Sequence, residues 1–139
     1  MIQSKYILDI LDLTFDDLES GDLLRQQIQF LTEDNREHAE VGLYVYFLAD
    51  KEIEKYKTPI DKVLDFDIDG NPTEMLIGVE IKNEELNILA DATVHLKNGL
   101  VNRIEIWNKN GEDYPTEDPS KYELTQLWLD KFKRRTIIR

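Results

Sequence analysis

Asp65, Asp67 and Asp69, followed by Gly70, set three carboxylates at alternate positions before a glycine. That is how a calcium-binding loop opens, with oxygens from alternate residues converging on one ion. The pattern then stops. The twelfth position, where a bidentate acid would close the shell, is Leu76, and Pro72 falls where such loops pair in a short strand. A strand explains the same residues: Asp65 and Asp67 on its wet face, Leu64, Phe66 and Ile68 on its dry face, running into a glycine turn. The failed twelfth position favours this hairpin. The two histidines, His38 and His95, are far apart and belong to no H-E-x-x-H or comparable zinc spacing. Ser4, Ser20 and Ser120 are the only serines, and none sits in G-x-S-x-G. There is no phosphate-cradling glycine loop. With no cysteine, thiolate metal sites, iron–sulfur clusters, disulfides and cysteine nucleophiles are excluded. The expectation is a chain with no catalytic residue, no metal and no cofactor. A small enzyme built on a carboxylate pair stays open as an alternative, because 29 acids allow many pairs and single out none.

Charge is the strongest signal. The 139 residues carry 29 acidic and 17 basic side chains, a formal net charge of −12, with 41% hydrophobic and 33% charged residues. Residues 121–139 hold six basic and two acidic residues, a local +4, so the other 120 carry −16. Residues 9–22 contain Asp9, Asp12, Asp16, Asp17, Glu19 and Asp22 and no base. Direct binding to nucleic acid is disfavoured, since a polyanion is repelled, whereas a basic protein is attracted and its association accelerated. The same acidity also serves solubility. No basic segment followed by an apolar run opens the chain, and the longest apolar stretch, near Gly42 to Ala49, is too short for a bilayer. A cytoplasmic protein with no membrane contact is expected.

The elements that would position these residues follow from periodicity. Most of 4–31 reads as helix with a break near Gly21, and Thr14 followed by Asp17 resembles a cap. Thr32 to Glu37 reads as a polar loop. Val41, Leu43, Val45 and Phe47 alternate with Tyr44, Tyr46 and Leu48, as in a strand buried on both faces. Asp50 to Lys57 reads as a short helix or exposed loop. A meander follows: the strand at 64–68; Ile77, Val79 and Ile81 on one face; Leu86 to Leu96; the hairpin turn Asn98-Gly99; and Val101 to Trp107. Tyr122, Leu124, Leu127, Trp128, Leu129 and Phe132 have helical spacing, with basic residues toward the end where a helix dipole favours them. The whole reads as one α+β domain over 1–139: an antiparallel meander of about five strands packed against N-terminal helical segments and a C-terminal helix.

Residues 99–115 carry a resemblance. Gly99 and Val101, then Ile104-Glu105-Ile106-Trp107, then Gly111-Glu112 and Tyr114-Pro115, resemble the last strand of small acidic α+β immunity proteins of bacterial polymorphic toxin systems, including contact-dependent growth inhibition. The likeness covers about one-eighth of the chain. It implies a cytoplasmic protein that binds a cognate toxin, often a basic nuclease, and covers its active site without catalysis. The basic tail departs from such an acidic interface. The surface expected to bind is the polar face of the meander (Asp65, Asp67, Glu80, Asp91, Glu105 and Trp107) or the 9–22 segment (Asp12, Asp16, Asp17 and Glu19). A nucleic-acid mimic is the other inhibitor alternative. Monomer and homodimer both remain open.

Overall fold

The computed structural model describes residues 1–16, 18, 20–59, 65, 66, 70, 72–127 and 132–139, with backbone alone at 65, 66, 72 and 73. Ser4 starts the first helix, α1 (Lys5–Phe15), by accepting the Ile7 amide on its hydroxyl at 3.2 Å. Tyr6, Ile7, Ile10, Leu11 and Phe15 form the helix's apolar side and are almost wholly buried. Thr14 is no cap for a following helix. It lies inside α1 and its hydroxyl donates back to the Ile10 carbonyl at 2.6 Å. Helix α1 ends at Phe15, and Gly21 is the first residue of α2 (Gly21–Ile28). Glycine is required there because a Cβ would stand 2.3 Å from the Phe15 carbonyl oxygen.

Strands β1 (Leu31–Ala39) and β2 (Gly42–Ala49) form a hairpin, followed by a 3₁₀ turn at Lys51–Tyr56 that buries Ile53. Then come β3 (Asp65–Phe66), β4 (Pro72–Asn83), β5 (Ile88–Lys97), β6 (Leu100–Asn108), β7 (Glu123–Gln126) and β8 (Thr136–Ile138). All pairings are antiparallel, in the order β1-β2-β6-β5-β4-β7-β8, with β3 added to β4. Asn98 and Gly99 have φ of 57° and 78°, the left-handed pair that a tight β5–β6 hairpin demands.

The α+β class therefore holds, but the sheet is wider than a five-stranded meander. Two expectations give way. The polar stretch at 32–37 is strand, not loop. The positions paired with the buried Phe47, Val45 and Leu43 of β2 are Glu33, Arg36 and the exposed His38 in place of apolar residues. Arg36 is held by Glu33 and by Asp118 of the 109–122 segment, while His38 donates to the Tyr114 carbonyl. Pairing on β2 and these polar contacts supply what hydrophobic alternation normally does. The expected C-terminal helix is replaced by β7 and β8 among the described residues. Tyr122, Leu124 and Gln126 alternate inward, a period of two that polar Gln126 conceals in the sequence. Trp128 and Leu129 lie outside the described residues, as do Leu64, Asp67, Ile68 and Asp69 of the calcium-like stretch.

Both helices cover one face of the sheet. Helix α1 lies against β4, β5, β7 and β8, and α2 against β6. Helix α1 meets the sheet at Gly78, where β4 carries a bulge between Ile77 and Val79. A Cβ on Gly78 would stand 2.4 Å from the Ala92 carbonyl oxygen and 2.9 Å from Thr14 Oγ1. Two glutamines, each with no exposed surface, join the layers. Gln27 donates to the Tyr56 and Gly99 carbonyls and accepts the Val101 amide. Gln126 donates to the Leu13 carbonyl at 3.0 Å, where α1 ends, and accepts the Arg135 amide. Replacing Gly78 with alanine overpacks the site against the Ala92 carbonyl of β5 and Thr14 of α1, and a loss of about 1–3 kcal/mol is expected. Urea unfolding measures it. A loss below about 0.5 kcal/mol, within ordinary surface-substitution scatter, would mean the contact yields freely.

Candidate functional site

Among the described residues nothing covers the sheet face opposite the helices, and register builds it row by row. One row runs Tyr46, Arg103, His95, Met75 across β2, β6, β5 and β4. The next runs Tyr44, Glu105, Thr93, Ile77. A third runs Gly42, Trp107, Asp91, Glu80 and ends at Thr125 on β7. Directly opposed residues share a face, so these side chains form one continuous surface. Trp107 is 48% exposed, Met75 48%, Ile77 57% and Leu48 58%. The rings of Tyr44 and Tyr46 stack, with centroids 6.4 Å apart.

Four of the residues expected to bind a partner meet here: Glu80, Asp91, Glu105 and Trp107. They are not bare charges. Lys109 reaches Glu80 at 2.7 Å and Asp91 at 2.9 Å. Burial opposes the charged ammonium, but these two carboxylates outweigh it and raise its pKa. Glu105 accepts from His95 Nε2 at 3.1 Å, which fixes that nitrogen as the protonated one; Nδ1 faces the Arg103 guanidinium at 3.5 Å. Burial, then the neighbouring Arg103 charge, hold the His95 pKa below its ordinary value, and Glu105 only partly offsets them. The centre of the face thus holds an imidazole, its protonation disfavoured, between an arginine and a glutamate.

The other expected residues lie elsewhere. Asp12 and Asp16 are on the helical side. Arg25 pairs with both, at 3.2 Å in each case, and Arg135 of the basic tail also pairs with Asp16. Asp9 is bonded by Tyr122 at 2.7 Å and by Arg139 at 2.9 Å. Burial alone would raise the Asp9 pKa, but these donors together bring it below the usual carboxylate range. The tail folds back on the acidic segment, as strand rather than helix. Asp65 is placed by backbone only, in β3, and Asp17, Glu19 and Asp67 lie outside the described residues.

Sequence periodicity missed Met75, Ile77 and Lys109. Ile77 reads as one apolar face with Val79 and Ile81. The bulge at Gly78 reverses that parity, so Val79 and Ile81 enter the core while Ile77 faces outward. A glycine inside a strand pattern was the available signal.

A groove of about 340 Å³ lies at the other end of β4, beside Lys82, Lys121 and Arg139. Among the described residues no group of three or more histidines and carboxylates is arranged to hold a metal. Nor is any helix among them long and apolar enough to cross a membrane. Protein-family models, characterised proteins and solved structures give no match to the chain.

The geometry around His95 makes a signed prediction. Its imidazole should titrate, by NMR, below the ~6.5 of an exposed histidine. Arg103→Gln should raise that midpoint and Glu105→Gln should lower it further. Because the folded form resists the proton more than the unfolded chain does, this group removes stability as pH falls through and below ~6.5. A midpoint at or above 6.5, or the opposite order of the two variants, would contradict the arrangement.

Proposed function

We propose that the chain is a stoichiometric, non-enzymatic inhibitor of the immunity-protein type. In this reading it works in the cytoplasm, docking its open sheet face on a basic, nuclease-type toxin domain to obstruct the active site. The observation that carries this reading is the uncovered face itself. It sets Trp107, Met75, Ile77 and Leu48 among paired charges on rigid strands. Exposed aromatic and aliphatic anchors spread within a polar surround on one face are what a protein interface needs. The net charge of −12 would steer a basic partner toward the chain.

The same face weighs against a nucleic-acid mimic, which calls for a run of unpaired carboxylates in place of phosphates. Here Lys109 and His95 already engage Glu80, Asp91 and Glu105. A carboxylate enzyme calls for an acid with a raised pKa, and Asp9, a carboxyl whose pKa is displaced, moves the other way. Glycosidic or phosphoryl chemistry thus gains no support from these groups.

The test is titration against the C-terminal domain of the neighbouring gene's product, by calorimetry at low and high salt, with any toxicity of that domain followed in parallel. One-to-one binding that weakens with salt and abolishes toxicity is expected. Ile77→Glu combined with Trp107→Glu should weaken it by at least about 30-fold, the loss of one interface hot spot. Asp12→Asn, on the helical side, should leave it unchanged. Undiminished affinity in the double variant would remove the sheet face from the interface, and absence of binding would remove the inhibitor reading.

A further inference from the structure

We propose that Trp107, Asp91 and Glu80 form a receptor for an arginine side chain of the partner protein, occupied in the free chain by its own Lys109. The inference rests on the docking face described above and adds the chemistry of the side chain that face receives.

The row Gly42, Trp107, Asp91, Glu80 crosses four adjacent strands. Neighbours in such a row are about 5 Å apart at Cβ, so an aromatic ring and two carboxylates stand side by side. Gly42 makes room for the ring. A Cβ at that position would lie 3.1 Å from Trp107 Cε3, so the indole packs on the bare backbone of β2 and half of the residue stays open. Asp91 and Glu80 side chains are 41% and 33% exposed, within reach of an incoming group.

The site already binds a cation. Lys109 lies just past the end of β6, with its amide held by the Leu89 carbonyl at 2.7 Å, and its ammonium bridges the two acids. An ammonium is a compact point charge and makes no planar contact with the ring. A guanidinium offers a planar fork to Asp91 and a flat face to Trp107 at once, so it fits the row better than lysine does. Lys109 would then keep Glu80 and yield Asp91. The apolar neighbours Ile77 and Met75 favour an arginine presented by a folded protein over a free cation, because they are buried only by a surface that comes with it.

The experiment uses the full chain labelled with 5-fluorotryptophan, with the Trp107 resonance assigned from Trp107→Phe. The probe is an N-acetylated, C-amidated tetra-arginine peptide, with tetra-lysine for comparison, followed by fluorine NMR titration. A saturable shift of the Trp107 resonance is expected, tighter for tetra-arginine. Lys109→Ala should tighten it about three-fold by removing the competitor. Asp91→Asn should weaken it about five-fold, the scale of an exposed ion pair. No saturable shift, equal affinity for the two peptides, or no response to Lys109→Ala and Asp91→Asn would overturn the receptor.

The two readings fail separately. A toxin complex that is disrupted by Ile77→Glu yet indifferent to Asp91→Asn keeps the docking face and removes the arginine receptor. Indifference to Ile77→Glu removes the face itself.

Discussion

At Gly78 strand β4 is hemmed in on two sides: an added Cβ would stand 2.4 Å from the Ala92 carbonyl oxygen of β5 and 2.9 Å from Thr14 Oγ1 of α1. That contact organises both faces of the sheet. Reaching it requires the bulge after Ile77, and the bulge reverses the inward and outward positions along β4. Val79 and Ile81 then enter the core under α1, and Met75 and Ile77 emerge on the opposite side. The freed Gly78 carbonyl receives the Leu127 amide, which anchors the end of β7, and Gln126 bonds the end of α1. The packing that builds the core therefore also creates the exposed apolar positions from which a docking face can be made.

Electrostatics is distributed by the same fold. The chain carries a large acidic surplus, but several of its acids are engaged internally. The tail's Arg135 and Arg139 meet Asp16 and Asp9, and Arg36 ties Asp118 to Glu33. On the open face, Lys109 and His95 take the acids. Net charge acts at a distance, over about a Debye length, and accelerates encounter with a basic surface. Contact energy comes from the local groups, which here are aromatic, aliphatic and mutually paired. An interface read from charge alone would be placed on the 9–22 segment. There the acids Asp9, Asp12 and Asp16 are held by Arg139, Arg25 and Arg135.

How much could be read in advance depended on whether the signal was local. The hairpin at Asn98-Gly99 needs only two residues that accept positive φ, and both adopt it. Strand β5 alternates without interruption, and its burial follows that alternation at every position. Strand β1 has no such pattern, because partners distant in sequence, Tyr114 and Asp118, satisfy its polar residues His38 and Arg36. The segment after Tyr122 offered two periods over a few residues, and its inward Gln126 concealed the one that prevails.

By itself the sequence determined the α+β class, the order of the central hairpins, the absence of cysteine chemistry and the acidic surplus. Each depends on composition or on neighbours within one element. Glu80, Asp91, Glu105 and Trp107 could be placed on a polar strand face for that reason. Only the tertiary structure decided that they share one surface with Tyr44, Tyr46, Met75 and Ile77, and that Lys109 and His95 engage the acids. Register between strands and the parity change at Gly78 are set by long-range pairing and by the volume α1 occupies. A periodicity of two along one strand contains neither.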